Sequence, residues 1–208
     1  MAARVPWAVP SKKSSPSSLA EHRAQAGIAL LVIDMITCWD FPDADKLLPR
    51  AARIAPAIAA LKARCRRAGV PVIYANDNRG QWRSDFRQVV SQSIAAGGAG
   101  ARITTLLEPD EDDYFVLKPK HSAFFGTPLD LLLQHLKAQW LVLTGVASDQ
   151  CVVNTAIDAR MRDYEVLVPV DCIASQTAAR NKSAIAHFDE VLGVPTTPSM
   201  RLRLPKAR

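Results

Sequence analysis

Cys151 stands in "LTGVASDQCVVNTAIDA" (Leu143–Ala159), where an apolar run ends at Gly145 and a helical pattern takes over. A cysteine at such a junction is either a small buried hydrophobe or a nucleophile. The first turn of a helix offers unpaired N–H groups and a positive dipole end, which lower a thiol pKa and bind an oxyanion. Ser148 competes for the same role, but a G-x-S-x-G elbow needs glycine at 150, and Gln150 is there. Asp34 ends a second apolar run, "IALLVID" (Ile28–Asp34), where a carboxylate caps a turn or, in a partly dry site, serves as a general base. Lys118 ends a third, "DYFVLK" (Asp113–Lys118), from which a lysine either snorkels to solvent or steadies a neighbouring thiolate and carboxylate. Lys120 is its rival but lies past Pro119, so Lys118 is preferred. Cys151, with its turn and an expected lysine neighbour, is the thiol predicted to reach thiolate near neutral pH, ahead of Cys38, Cys65 and Cys172.

Positioning these residues requires strands that end where they stand. Short β-branched runs predict strands over 28–34, 71–77, 113–118, 140–145 and 164–170. Longer amphipathic or Ala- and Leu-rich stretches predict helices over 46–69, from about 84, and over 127–139, 149–162 and 178–192. Pro49 and Pro56 imply a late start or a kink in the first helix, and 94–103, rich in glycine, reads as a flexible loop. The alternation predicts an α/β fold: three layers, a doubly wound, mostly parallel sheet with helices on both faces. Ligands of such sheets lie beyond the carboxyl ends of the strands, near the switch in strand order. Asp34, Asp77, Lys118 and the turn at Gly145 therefore share one edge.

Composition narrows the function classes. The 208 residues are 49% hydrophobic and carry a formal charge of +6. Residues 1–26 hold +3 of that and 201–208 hold +4, so the body between them is near −1. A nucleic-acid binder carries its basic stripe on the folded domain, so basic tails are the better reading and no nucleic-acid partner is expected. One domain over 27–200 is expected between an N-terminal tail (1–26) and a basic C-terminal tail (201–208). No apolar segment has membrane-spanning length, and the four cysteines form no C-x-x-C pair or zinc-type spacing, so a cytoplasmic protein with no membrane partner, metal or cofactor is expected.

Three motifs in order carry a family resemblance. "ALLVIDM", "KPKHSAFFGTPLDLLL" and "LTGVASDQCVVNTAIDA" resemble the signatures of the isochorismatase-like, or cysteine hydrolase, family from about Ile28 to Val194. The resemblance implies a catalytic triad of Asp34, Lys118 and Cys151. It also implies an oxyanion hole from the backbone N–H groups of Ala147 and Cys151, a cis peptide between Val146 and Ala147, and hydrolysis of a small-molecule amide through a thioester. Ether hydrolysis of the isochorismatase type and a non-catalytic binding or scaffold role are the alternatives. The chain departs from the family where "DMITCWDF" replaces the usual Asp-Met-Gln-Asn-Asp-Phe, which predicts a less polar pocket there. The segment after the second strand, "YANDNRGQWRSDF", contains Asp77 but no histidine, which disfavours the nicotinamidase type with its metal. Trp39, Trp82, His121 and Ser148 are the substrate-binding candidates, and a homodimer or higher homo-oligomer is expected.

Overall fold

Five strands lie parallel in the order β3-β2-β1-β4-β5, with a short sixth paired to β4 beyond β5. They are β1 (Gly27–Ile33), β2 (Val72–Asp77), β3 (Tyr114–Lys118), β4 (Ala138–Val146), β5 (Glu165–Leu167) and β6 (Ile173–Ala174). The computed structural model describes residues 27–80, 82 and 85–204, so the N-terminal tail expected over 1–26 lies outside the described residues, as do 205–208. The helices are α1 (Ala44–Arg67), α2 (Phe86–Ala95), α3 (Gly98–Leu106), α4 (Leu129–His135), α5 (Val153–Met161) and α6 (Ala178–Ala186).

Strand alternation builds the three layers. On β1, Ile28, Leu30 and Val32 face one core with α1, α2 and α3, while Ala29, Leu31 and Ile33 face the other with α4, α5 and α6. Both faces of the strand are covered, which is why its sequence is continuously apolar. The order places the switch between β1, which leads outward to β2 and β3, and β4, which leads to β5. A crevice is expected beyond the carboxyl ends of those two strands.

Several local expectations are corrected. α1 begins at Ala44, before Lys46, and runs through Pro49 and Pro56, because its buried face from Leu47 to Cys65 outweighs the missing N–H groups. The stretch 94–103 is mostly helical rather than a loop: Gly97, in the left-handed region, breaks the chain between α2 and α3. Gly100 stands where an added Cβ would strike the Trp39 ring. α4 stops at His135 because Lys137 turns left-handed, and Ala138 and Gln139 join β4. β5 ends at Leu167, short of Pro169. Packed structure also continues past residue 200, where Leu202 is buried and Arg64 donates to the carbonyls of Ser199 and Leu202 at 2.7 and 2.6 Å.

Candidate active site

Asp34 is the first residue after β1 and takes a left-handed conformation (φ 53°), which a short polar side chain tolerates. Its amide donates to the Ala75 carbonyl at 3.0 Å, and its Oδ1 accepts the Asp77 amide at 2.8 Å, so neighbouring β2 sets its direction. Its other oxygen meets Lys118 Nζ at 2.8 Å. Lys118, the last residue of β3, is completely buried and so does not snorkel. Its ammonium also donates to the Lys120 carbonyl at 3.2 Å and to Cys151 Sγ at 3.5 Å, with Asp77 at 3.8 Å. Burial is the largest single effect and opposes the charge, but Asp34, Cys151 and Asp77 together outweigh it and raise the ammonium to about 12. The lysine is a fixed cation.

Gly145 lets β4 approach β1. It adopts φ 110° opposite Ile33, and a Cβ there would overlap the Ile33 carbonyl. The Val146–Ala147 peptide that follows is cis. The chain then enters a π-helical turn, Ser148–Val152, before α5. The amides of Gln150 and Val152 both donate to the Ala147 carbonyl, at 3.1 and 3.2 Å, which leaves the Cys151 N–H between them out of that pairing. Cys151 is only 8% exposed. Its thiol is pushed up, not down: burial is the largest cause, the Asp34 charge adds to it, and Lys118 only partly offsets both. That runs against the expectation of a thiolate near neutral pH, because burial and the neighbouring Asp34 charge both disfavour a second anion there.

Asp34 and Cys151 line a cavity of about 470 Å³ at the β1/β4 switch. His121 also reaches it, with Nδ1 3.6 Å from Cys151 Sγ. Three other sequence candidates do not line it. Trp39 is buried in the α1-side core against Phe41 and Gly100. Trp82 is 78% exposed and outside the lining. Ser148 is fully buried and bonds Ser175 and Asn181 at 2.7 and 2.8 Å, so it anchors the turn to α6. Its neighbour Asp149 holds Arg180 at 2.5 Å, and that arginine lines the cavity. Asn76, Gln150, Gln176 and Arg180 line the cavity and were not singled out in the sequence. Only Asn76 carried a signal, as a polar residue inside the apolar run "VIYAND". Among the described residues no group of three or more His, Cys, Asp or Glu is arranged to hold a metal.

A family model described as Isochorismatase domain matches residues 28–199. The chain belongs to the isochorismatase family. This isochorismatase-family hydrolase is 38% identical to the uncharacterized isochorismatase family protein YaaI of Bacillus subtilis, over 81% of its own length and 92% of that protein. It is 26% identical to an N-carbamoylsarcosine amidase of Arthrobacter, covering 83% of this chain and 69% of the relative. Among solved structures, an isochorismatase-like hydrolase from Alkaliphilus metalliredigens superposes with a TM-score of 0.69 at 26% identity, covering 85% and 96% of the two chains. The shared architecture is the six-stranded parallel sheet with flanking helices.

Proposed function

We propose that this chain hydrolyses the C–N bond of a small amide with Cys151 as nucleophile. One observation carries the reading: a completely buried ammonium, Lys118 Nζ, lies 2.8 Å from a carboxylate and 3.5 Å from a thiol at the edge of a cavity. A buried cation so placed stabilises whichever neighbour holds the negative charge. With the thiol raised, sulfur keeps its proton until an amide carbonyl is in place. Sulfur then bonds to the carbonyl carbon as its proton passes to Asp34, and the backbone N–H groups of Ala147 and Cys151 receive the oxyanion. The C–N bond breaks, the proton held by Asp34 goes to the departing nitrogen, and a thioester remains. Water attacks that thioester, Asp34 takes one of its protons, and the thiol is restored as the acid leaves. Lys118 stays charged throughout.

The similarity to an N-carbamoylsarcosine amidase supports C–N chemistry. The test is ammonia release from a panel of small amides, ureas and carbamates, with mass spectrometry of quenched reactions. Wild-type protein is expected to release ammonia and carry an acyl adduct on Cys151, and Cys151→Ala to lose about 10³-fold or more in kcat. Full ammonia release by Cys151→Ala would overturn the role of Cys151 as nucleophile, and no ammonia release by wild-type protein from any of the panel would direct attention to ether hydrolysis, in which the cysteine is dispensable.

A further inference from the structure

A second cavity, of about 340 Å³, shares one wall with the Cys151 cavity. That wall is the segment from β6 into α6: Gln176 and Arg180 line the Cys151 cavity, while Ser175, Ala178 and Asn181 line the second. The opposite bank is α1, which presents Arg50, Arg53 and Ile54 at positions i, i+3 and i+4. On α6, Ala178, Asn181, Lys182 and Ile185 recur at the same helical spacing, so one face of each helix is turned to the cleft. Arg53 and Lys182 are exposed, and the cleft is open to solvent.

The cleft carries one sign of charge. Arg50, Arg53 and Lys182 line it, and no aspartate or glutamate does. Among the described residues none of the three meets a carboxylate: Arg50 Nε donates to the Gln176 carbonyl at 3.1 Å, and Arg53 and Lys182 make no side-chain hydrogen bond. The arginine on the other side of the wall differs, since Arg180 is held by Asp149 at 2.5 Å. The first residue of α6, Ala178, also lines the cleft, which adds the positive end of that helix dipole. A concave surface with unneutralised cations and low-dielectric walls concentrates anions. Ile54, Ile173 and Ile185 supply apolar surface, which suits an anion with a compact apolar group better than a bare ion.

The shared wall is tied to the turn that carries Cys151. Ser148, at the start of that turn, bonds Ser175 and Asn181, and Ser175 also donates to Asp149, which holds Arg180. An anion that bridges Arg50 and Arg53 on α1 to Lys182 on α6 makes contacts available only while the wall is in place, so binding favours that state over any in which the wall opens. We infer that the second cavity is an effector site for a small organic anion, a carboxylate or phosphate monoester with a compact apolar group, whose binding steadies the wall beside Cys151. The inference does not depend on which bond Cys151 acts upon.

The probes are phenyl phosphate and benzoate, with benzyl alcohol as the uncharged counterpart. Kd is measured by calorimetry on the full chain, and the state of the wall by the rate at which iodoacetamide labels the Cys151 peptide, which needs no substrate. Wild-type protein is expected to bind both anions but not the alcohol, and saturation with phenyl phosphate to slow labelling by about fivefold or more. Arg53→Gln combined with Lys182→Gln removes two exposed cations that lie outside the Cys151 cavity. That variant is expected to label at the wild-type rate without the anion, to bind phenyl phosphate about tenfold or more weakly, and to lose the slowing. Arg87→Gln combined with Arg102→Gln, on exposed positions of α2 and α3, controls for net charge and should behave as wild type. No binding by wild-type protein, an equal loss in the control pair, or binding that leaves the labelling rate unchanged would overturn the inference. Slowing that persists in the Arg53 and Lys182 variant would overturn it too, since it would place the anion in the Cys151 cavity.

Discussion

Replacing Asp34 with asparagine isolates what the buried ion pair does. Asparagine keeps the shape, tolerates the left-handed backbone, and its Oδ1 can still accept the Asp77 amide. What is lost is the anion 2.8 Å from a completely buried ammonium. Removing one partner of a buried pair costs about 3–5 kcal/mol, because the other charge stays in a dry site. Asp77 at 3.8 Å is the next carboxylate and offsets part of this, which favours the lower end, about 3 kcal/mol. For a chain of this size that corresponds to a fall in Tm of roughly 6–12 °C. The pH dependence gives a sharper signature. In wild-type protein the raised lysine contributes stability that is complete below its unfolded pKa and is lost only as pH rises through about 12. Without Asp34 burial dominates, the lysine falls below its ordinary value, and stability rises with pH as the unfolded lysine approaches its own pKa. The Tm difference between the two proteins should therefore shrink from pH 7 to pH 10. On the proposed mechanism, in which Asp34 accepts the thiol proton, the substitution should also lower kcat by about 10²–10⁴-fold in an ammonia-release assay. A Tm within 2 °C of wild type (roughly 1 kcal/mol or less) at pH 7, or a difference constant with pH, would refute the placement of the charge.

Gly145→Ala should fail to accumulate as folded protein, since its Cβ would overlap the Ile33 carbonyl at φ 110°; a folded variant with a near-normal melt would contradict the β1/β4 approach. Ser148→Ala should lower stability by about 1–3 kcal/mol through its lost bonds to Ser175 and Asn181 without altering the ranking of substrates, and a changed ranking would return Ser148 to the binding surface. Because the Cys151 thiol is raised, inactivation by iodoacetamide should keep accelerating above pH 9, and a plateau below pH 8 would show a thiolate formed near neutrality.

Asp34, Lys118 and Cys151 were legible in the sequence because each ends an apolar run or follows a tight turn, and in a parallel sheet strand ends share an edge. The layer order was legible for the same reason: β1 is apolar at every position only if both its faces are covered. Trp39, Trp82 and Ser148 look alike in sequence, as large or polar residues near a strand end. Which way each side chain points depends on partners far along the chain: α3 for Trp39, and Ser175 and Asn181 for Ser148. Arg180 enters the site the same way, through Asp149 across 31 positions, with no local pattern to announce it. The charge state of Cys151 also belonged to tertiary structure. Local sequence supplies the helix terminus and its dipole, but the thiol is governed by burial and by Asp34, 117 positions earlier, and those act only once the sheet has brought β1, β3 and β4 together.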